Sequence, residues 1–392
     1  MSCGRSAMAC GRLASRLAGG YNKPRGTPAP VVTPASSPAP AAVSTAPHTL
    51  RRASRQQHRC YKYYSPRSRF GTSPTQNSTT TPVDTPTRTT TMSSAAEATK
   101  AHEALLKRNP HGNFGAVEAS RPPFDAAASL RYTQTPQPGW KQGGGANQLQ
   151  AVAPADHITI APYEEGRAAH LNYKLLISAI IPRPIAFVST VGKDGSGEEN
   201  LAPFSYFNMI NHDPPLFVVG FASPSEGAAA KDTVRHLSET GECVINIISE
   251  GYVEAANAAS VNAPGDASEW LISGLTPARD TVDVRPPRVK EAIFSIEGKV
   301  ESLREFKSKA VAGKTSGTMA VIEGVRFWAR GDAISEARDM IDPAVLRPIS
   351  RLGGITYGRT TEAFELPRPD FEKDVGGQEG MAKLKDVAAA KK

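Results

Sequence analysis

The stretch IPRPIAFVSTVGKDGSGEENLAPFSYFNMINHDPPLFVVG, residues 181–220, decides the fold class of this chain. Its first part, Pro184–Val191, is a short apolar and β-branched run of the kind that forms a buried strand. Asp194 and Gly195 then suit a tight hairpin turn, so a second strand is expected over Asn200–Phe207. The run at 216–222 is apolar throughout and of strand length, which predicts a further buried strand.

The sequence beyond residue 222 continues with short strand and helix signals. Residues 231–242 predict a helix with Asp232 as its N-cap and Gly241 as its stop. The other predicted elements are a strand at 243–248, a short helix at 249–260, and strands at 292–303 and 318–328, the last with Met319, Val321, Val325 and Phe327 on one face. About six strands, mostly joined by hairpins, favour a mainly β fold with helical inserts, a Greek-key-like closed barrel, over a doubly wound sheet.

The N-terminal part of the chain differs in charge from the rest. Residues 1–83 carry 12 of the 46 Lys and Arg residues and none of the 38 acidic residues, so the remainder has a net charge of −4, although the whole chain has +8. A basic, Ser-rich and acid-free start is typical of mitochondrial targeting sequences. We therefore predict a presequence-like leader over 1–60 and a mitochondrial location. A basic tail without a targeting role is the alternative, and a start at Met92 would give a cytoplasmic form.

Three further regions follow the predicted leader. Residues 61–155 are rich in Pro, Ser, Thr, Ala and Gly, with few large apolar residues to bury, so we predict a disordered or extended linker or arm. Regular strand signals fill 156–366, which is long enough for one domain with a sizeable core. Residues 367–392 are predicted to be a charged tail.

Composition and motifs disfavour several classes of function. The negative net charge beyond residue 83 argues against a nucleic-acid partner, and no apolar run approaches the roughly 18 residues of a membrane span. Cys243 is the only cysteine beyond the leader, and no paired-histidine spacing occurs, so no metal site is expected. The motif SKAVAGKT, 308–315, resembles a phosphate-binding loop, but Ser308 replaces its first glycine and the motif leads into a predicted strand.

The segment NLAPFSYFN, residues 200–208, combines polar groups with a stiff apolar wall. Asn200, Ser205 and Asn208 offer hydrogen-bonding groups, while the wall consists of Pro203, Phe204 and Phe207. Such a surface suits a flat heteroaromatic ring, which requires stacking on its faces and hydrogen bonds at its edges. An ordinary half-buried strand is the alternative interpretation.

The segment KDT, residues 231–233, begins the predicted helix. Lys231 supplies a cation, Thr233 a hydroxyl, and the helix start supplies free N–H groups, which together suit an anion or a phosphate. A simple capping role is the alternative.

Five segments in order resemble the flavin reductase-like proteins of the FMN-binding split-barrel fold. They are IPRPIAFVSTV (181–191), NLAPFSYFNMINHDPPLFVVG (200–220), KDTVRHLSETGECVINI (231–247), VRPPRV (284–289) and LRPISRLGG (346–354). The resemblance covers about 158–360 and implies an FMN-binding split β-barrel of Greek-key type. It also implies a flavin-dependent oxidoreductase with NADH or NADPH as a donor. An FMN-binding electron carrier, or a flavin-holding protein without NAD(P)H turnover, is the alternative.

The resemblance also implies where the cofactor lies. The FMN ring would lie against Asn200–Phe207, including Pro203, Phe204 and Phe207, with Ser205 and Tyr206 at its edge. Ser189 and Thr190 would face the ribityl chain or the phosphate, and Lys231 and Thr233 would hold the phosphate. Arg351 would approach the cofactor or a partner subunit. Because the family's site lies at a twofold interface, the resemblance implies a homodimer.

No catalytic side chain is expected, since a flavin accepts hydride without a protein nucleophile, acid or base. His212 is the one histidine considered for proton handling, with turn capping as the alternative. A pyridoxine phosphate oxidase-like enzyme is a further alternative, but Arg326, Arg330 and Arg347 lack the spacing that its phosphate-binding residues would require.

Overall fold

A computed structural model of the protein describes residues 109–147, 156–193, 198–264 and 267–390. The predicted leader at 1–60, Met92 and the predicted turn at Asp194–Gly195 lie outside the described residues. Within the described part of the chain, no helix has the length and apolar character to cross a membrane.

Thirteen strands and seven α-helices are formed in the described residues. The strands are β1 Arg131–Tyr132, β2 Ala186–Val191, β3 Glu199–Phe204, β4 Phe207–His212, β5 Pro215–Phe221, β6 Glu242–Ile247, β7 Pro277–Ala278, β8 Arg288–Val289, β9 Phe294–Lys307, β10 Thr315–Ala329, β11 Ile349–Arg351, β12 Tyr357–Arg359 and β13 Glu362–Ala363. The helices are α1 Phe114–Ala119, α2 His170–Ala179, α3 Asp232–Thr240, α4 Val253–Ala258, α5 Glu269–Ser273, α6 Pro343–Leu346 and α7 Gly377–Ala390, with a 3₁₀ turn at Glu250–Tyr252 and a π-helical turn at Phe371–Val375.

The main sheet contains seven antiparallel strands in the order β3-β2-β6-β9-β10-β5-β4. Its two edge strands, β3 and β4, are consecutive in the chain and are separated by only Ser205 and Tyr206, so the sheet has to curl until its edges approach each other. Phe204 of β3 accordingly packs on Phe221 of β5 with ring centroids 4.7 Å apart. The predicted mainly β fold with helical inserts, a split barrel, is confirmed.

Strand β2 is buried on both of its faces. Ala186 and Val188 belong to one apolar core together with residues of β5, β6, β9 and β10. Phe187 belongs to a second core, which includes Tyr252 and Trp270 from the helical inserts. Because successive side chains of a strand point to opposite faces, one face of β2 packs on the barrel interior and α3, and the other packs on α4 and α5.

The structure corrects three sequence predictions. The strand expected over Asn200–Phe207 ends at Phe204, and a separate strand, β4, follows it; the segment contains no glycine that would mark this turn. On β10 the fully buried residues are Ala320 and Ile322, whereas Phe327 of the predicted face is 52% exposed. Apolar residues occupy both faces of this strand, so alternation alone does not identify the inner one.

The third correction concerns the start of α3. Lys231, not Asp232, occupies the N-cap position, and no side chain caps the helix there. The Asp232 carboxylate instead accepts a hydrogen bond from Arg235 at 2.9 Å. Gly241 ends the helix in the left-handed conformation, with φ 72°, as predicted.

The described part of the predicted arm, 109–147, packs against the domain. Strand β1 pairs in parallel with β13, and the carbonyls of Ala126 and Ala128 accept hydrogen bonds from Arg347 and Arg359. Both arginines are also paired with Glu250, whose side chain is nearly buried. At the other end of the chain, the predicted charged tail at 367–392 contains α7.

Candidate functional site

The predicted site residues lie mainly along β3, an edge strand that pairs with β2 on one side only. Asn200 lies at one end of this strand, and Ser205 follows the other end. The two positions are about 17 Å apart, because five residue steps separate them at about 3.4 Å each. Two separate polar clusters therefore lie at opposite ends of this strand.

The cluster at the Asn200 end joins the sheet to helix α3. Thr190 and Asn200 are directly opposite each other in the β2–β3 register. The Asn200 amide donates to the Thr233 hydroxyl at 2.6 Å, and the Thr190 hydroxyl lies 3.1 Å from Nδ1 of His236. Thr233 and His236 are three residues apart and share one face of the helix. Two polar contacts thus fix the start of α3 against the sheet.

This arrangement changes the roles that the sequence suggested. Thr190, Asn200 and Thr233 are buried and are hydrogen-bonded within the protein. Ser189 is also buried, and its hydroxyl donates to the Pro287 carbonyl at 2.5 Å. In this conformation the Ser189 and Thr190 hydroxyls do not face an open surface, because both faces of β2 are covered. The expectation that these two residues face the ribityl chain or the phosphate stays a prediction.

The start of α3 combines an exposed lysine with the backbone N–H groups of a helix N-terminus. Lys231 is exposed and precedes the first helical residue, and the N–H groups of a first helical turn have no partner within the helix. The loop before Lys231 is held in place by Glu305, which accepts from the amide and hydroxyl of Ser225 at 2.9 and 2.8 Å. These hydrogen bonds lower the pKa of Glu305 to about 2. This start is therefore a preformed place for an anion.

His236 is a buried group that the sequence did not single out. Its Nε2 atom has no hydrogen-bond partner and lies 3.6 Å from the Glu198 carboxylate. Burial lowers the pKa of His236, and the charge of Arg235 lowers it further. The ring is therefore neutral at pH 7 and serves as a contact of Thr190.

We call the surface along β3 and the turn after it, from Asn200 to Phe207, the β3 strip. Its middle part is apolar and half-exposed. Pro203, Phe204 and Phe207 keep part of their surface open, and Tyr206 is exposed. Tyr206 crosses over Gly220, where a Cβ atom would lie only 3.0 Å from the Tyr206 side chain. A larger residue at 220 would displace Tyr206. The surface along Pro203–Phe207 therefore has the flat, partly apolar character that ring stacking requires.

The Ser205 end of the strip is cationic. Arg183 approaches Ser205, with 3.5 Å between Nε and the hydroxyl oxygen. The backbones of Arg183 and Arg351 pair through two hydrogen bonds of 3.0 and 2.9 Å. The Arg351 guanidinium lies over the Tyr357 ring at 4.2 Å and donates to the Gly354 carbonyl. The structure thus brings Ser205 and Arg351 together through Arg183.

Sequence reasoning did not assign Arg183 to the site, although it lies within the quoted segment IPRPIAFVSTV. The sequence feature that could have identified it is its position between two prolines immediately before a buried strand. A charged side chain at such a position does not reach solvent easily. His212 lies exposed at the end of β4, away from these polar contacts in sequence and register.

The arginines considered for a pyridoxine phosphate oxidase-like site are engaged elsewhere. Arg326 pairs with Asp283, Arg330 with Asp332, and Arg347 with Glu250. Each of these cations faces a carboxylate, so none of them is available to a substrate phosphate without breaking an ion pair. The segment 308–314 is the loop between β9 and β10 and leads into a strand, as expected.

Two clefts of the described chain lie away from the strip. One has a volume of about 400 Å³ and is lined by Phe124, Glu250 and Arg347 among others. The other, about 230 Å³, is lined by apolar residues around Pro182 and Ile349. Neither cleft is lined by a predicted flavin residue. The described residues also hold no cluster of three or more side chains suited to a metal ion.

Comparisons with known proteins place these features in a family. The family profile described as flavin reductase like domain matches residues 178–345. An uncharacterized protein of Halalkalibacterium halodurans is 36% identical over 203 residues, which are 52% of this chain and 93% of the relative. Another uncharacterized protein, from Aquifex aeolicus, is 35% identical over 186 residues, 47% of this chain and 88% of the relative.

A solved structure is also similar to this chain. Nitrilotriacetate monooxygenase component B from Bacillus cereus is 34% identical, with a TM-score of 0.48, and the match covers 54% of this chain and all of that protein. The profile match at 178–345 includes the β3 strip, the start of α3 and Arg183. By sequence similarity over nearly the whole length of its relatives, this chain belongs to the flavin reductase-like family.

Proposed function

We propose that the protein is an FMN-dependent oxidoreductase that takes hydride from NADH or NADPH and passes electrons to a second acceptor. The observation that carries this proposal is the β3 strip, which has an open helix start at one end and an open aromatic surface next to it. These features suit the phosphate and the ring of a flavin mononucleotide. The buried hydroxyls of Ser189 and Thr190 do not take part in this fit.

The chain's own residues have three tasks in this proposal. Lys231 and the first-turn amides of α3 bind the phosphate dianion. The wall of Pro203, Phe204 and Phe207 supports one face of the ring, while the backbone and hydroxyl at Ser205 meet its edge. The cofactor itself supplies the hydride-accepting chemistry. This chemistry requires no catalytic set of nucleophile, histidine and carboxylate from the protein.

A homodimer is part of the proposal, because a strip open on one chain is not enclosed. Exposed apolar side chains lie on the edge strand β4 and at the end of α2: Met209 is 62% exposed and Ile180 is 59% exposed. Burial of such side chains against a second copy would stabilise the pair. Sedimentation equilibrium of the purified chain measures this directly. A monomer at micromolar concentration would exclude a stable dimer.

A mitochondrial location is also proposed, on the composition of the leader alone. The measurement is mass spectrometry of the N-terminus of endogenous protein in purified organelles. A main species that begins at Met1, or a protein confined to the cytosol, would contradict the proposal.

The flavin and the reaction are tested separately. Purified full-length protein is expected to be yellow, with the absorbance of bound FMN. Rapid mixing with NADH or NADPH without oxygen is then expected to bleach that absorbance in a single turnover. A yellow protein that neither nucleotide bleaches would be an electron carrier or a flavin-holding protein. A protein that binds no added FMN would refute the proposed function.

A further inference from the structure

Arg183 is a buried cation, with 7% of its surface exposed. Its Nη1 donates to the carbonyls of Ile177 and Ile180, both at 2.6 Å, and its Nη2 donates to the Leu352 carbonyl at 2.8 Å. Together with the long contact to Ser205, these bonds use four of the five N–H donors of a guanidinium. The side chain is therefore fixed in one orientation.

All of these acceptors are uncharged, and two of them, the carbonyls of Ile177 and Ile180, belong to the C-terminal end of α2, which offers only a partial negative charge. No aspartate or glutamate in the described part of the chain forms an ion pair with Arg183, and its charged neighbour is another cation, Arg351. Burial lowers the pKa of Arg183, and the charge of Arg351 lowers it further; an arginine nevertheless stays protonated at pH 7. Arg351 is likewise held by carbonyls and by an aromatic ring. The guanidinium groups of Arg183 and Arg351 therefore interact with each other, and no carboxylate among the described residues forms an ion pair with Arg183.

An unneutralised buried charge is costly unless an opposite charge comes to meet it. The nearest open surface is the turn at Ser205 and Tyr206, which the proposed function assigns to the ring edge. A nicotinamide donor that delivers hydride to N5 supplies two electrons and one proton and becomes the oxidised nicotinamide. Bound FMN that accepted this hydride would carry one additional negative charge, which a nearby cation would stabilise.

We propose that Arg183, supported by Arg351, stabilises the negative charge that bound FMN acquires when it is reduced. This inference rests on the proposed function and adds an electrostatic role for a residue outside the predicted flavin contacts. The effect requires the charge of Arg183 more than a direct hydrogen bond, because four of its five donors are already occupied. The site thereby favours the reduced cofactor over the oxidised one.

The two cationic ends of the strip offer different numbers of hydrogen-bond donors. This difference indicates which end suits the phosphate and which end suits the edge of the ring. A phosphate dianion requires several hydrogen-bond donors at once, and the start of α3 presents first-turn amides that have no partner within the helix. Arg183 has only one donor left. The Arg183 end therefore suits a diffuse charge on a ring, and the Lys231 end suits the phosphate.

The test measures the midpoint potential of bound FMN in full-length protein by anaerobic dye-coupled titration. In Arg183→Gln the ratio of affinities for reduced and oxidised FMN is expected to fall about tenfold, because one screened positive charge near the ring edge is removed. For a two-electron couple this lowers the potential by about 30 mV. Arg351→Gln is expected to shift it in the same direction by less. Arg183→Lys, which keeps the charge, and Arg330→Gln, a matched control on an exposed ion pair, are expected to leave it unchanged.

An unchanged potential in Arg183→Gln would overturn the inference while leaving the proposed function intact. An equal fall in Arg183→Lys would overturn it as well, because geometry and not charge would then set the potential. Should Arg183→Gln fail to fold, as judged by circular dichroism, Arg351→Gln decides the matter, and no shift in that variant refutes the inference. Absence of FMN binding by the wild-type chain would refute the proposed function itself.

Discussion

Replacement of Lys231 by alanine tests the phosphate end of the proposed site. A hydrogen bond to a charged group contributes about 1.5–3 kcal/mol. Because Lys231 is exposed, water screens its ammonium, and the lower end of that range, about 1.5 kcal/mol, is the appropriate magnitude. We therefore expect FMN to bind about tenfold more weakly to Lys231→Ala. Binding is not abolished, since the first-turn amides of α3 remain.

Riboflavin lacks the phosphate, so its affinity is expected to stay constant in the same variant. The quantity to measure is the ratio of FMN to riboflavin affinity, obtained by quenching of flavin fluorescence. Lys299→Ala removes an exposed lysine from β9 and serves as the matched control. If the ratio in Lys231→Ala equals that of the control, Lys231 does not bind the phosphate, and the assignment of the two ends of the strip is wrong.

Three further predictions concern the framework of the site. Thr233→Val leaves the buried Asn200 amide without its acceptor and is expected to lower the free energy of unfolding by about 1–3 kcal/mol; in urea titrations, a double-mutant cycle with Asn200→Ala that shows no coupling would contradict this. Glu250→Gln removes the partner of Arg347 and Arg359 and is expected to cost about 3 kcal/mol. Burial alone would raise the pKa of Glu250, but the hydrogen bonds from Arg359 and Arg347 outweigh burial, and the pKa is lowered. The stabilisation by this carboxylate is therefore complete above the ordinary glutamate pKa and is lost as the pH falls through the lower pKa of the folded state. Unfolding curves of Glu250→Gln measured against pH are expected to lack that acid-dependent step. Removal of residues 1–155 takes away the β1–β13 pairing and the carbonyls of Ala126 and Ala128, so the thermal midpoint is expected to fall by about 2–4 °C or more, and an unchanged midpoint would show that the arm does not stabilise the domain.

The sequence predicted much of the local structure around the site. The β2 strand, the helix that starts beside Lys231 and the left-handed stop at Gly241 each follow from signals within a few residues, namely β-branched runs and turn glycines. The short helix α2 gave no such signal, since no side chain caps its start. The residue before α2, Ala169, is not of a capping type, whereas Asp232 at the start of α3 is, so only α3 carried a local start signal in the sequence.

The sequence by itself therefore determined the family, the mainly β fold and the residues that line up along β3. Only the tertiary structure decided which of their side chains remain open. Ser189 and Thr190 lie inward because helices and barrel interior cover both faces of β2, and Arg183 lacks a carboxylate because of what packs around it. Both outcomes depend on contacts between residues far apart in the chain, and local propensity and periodicity do not predict such contacts.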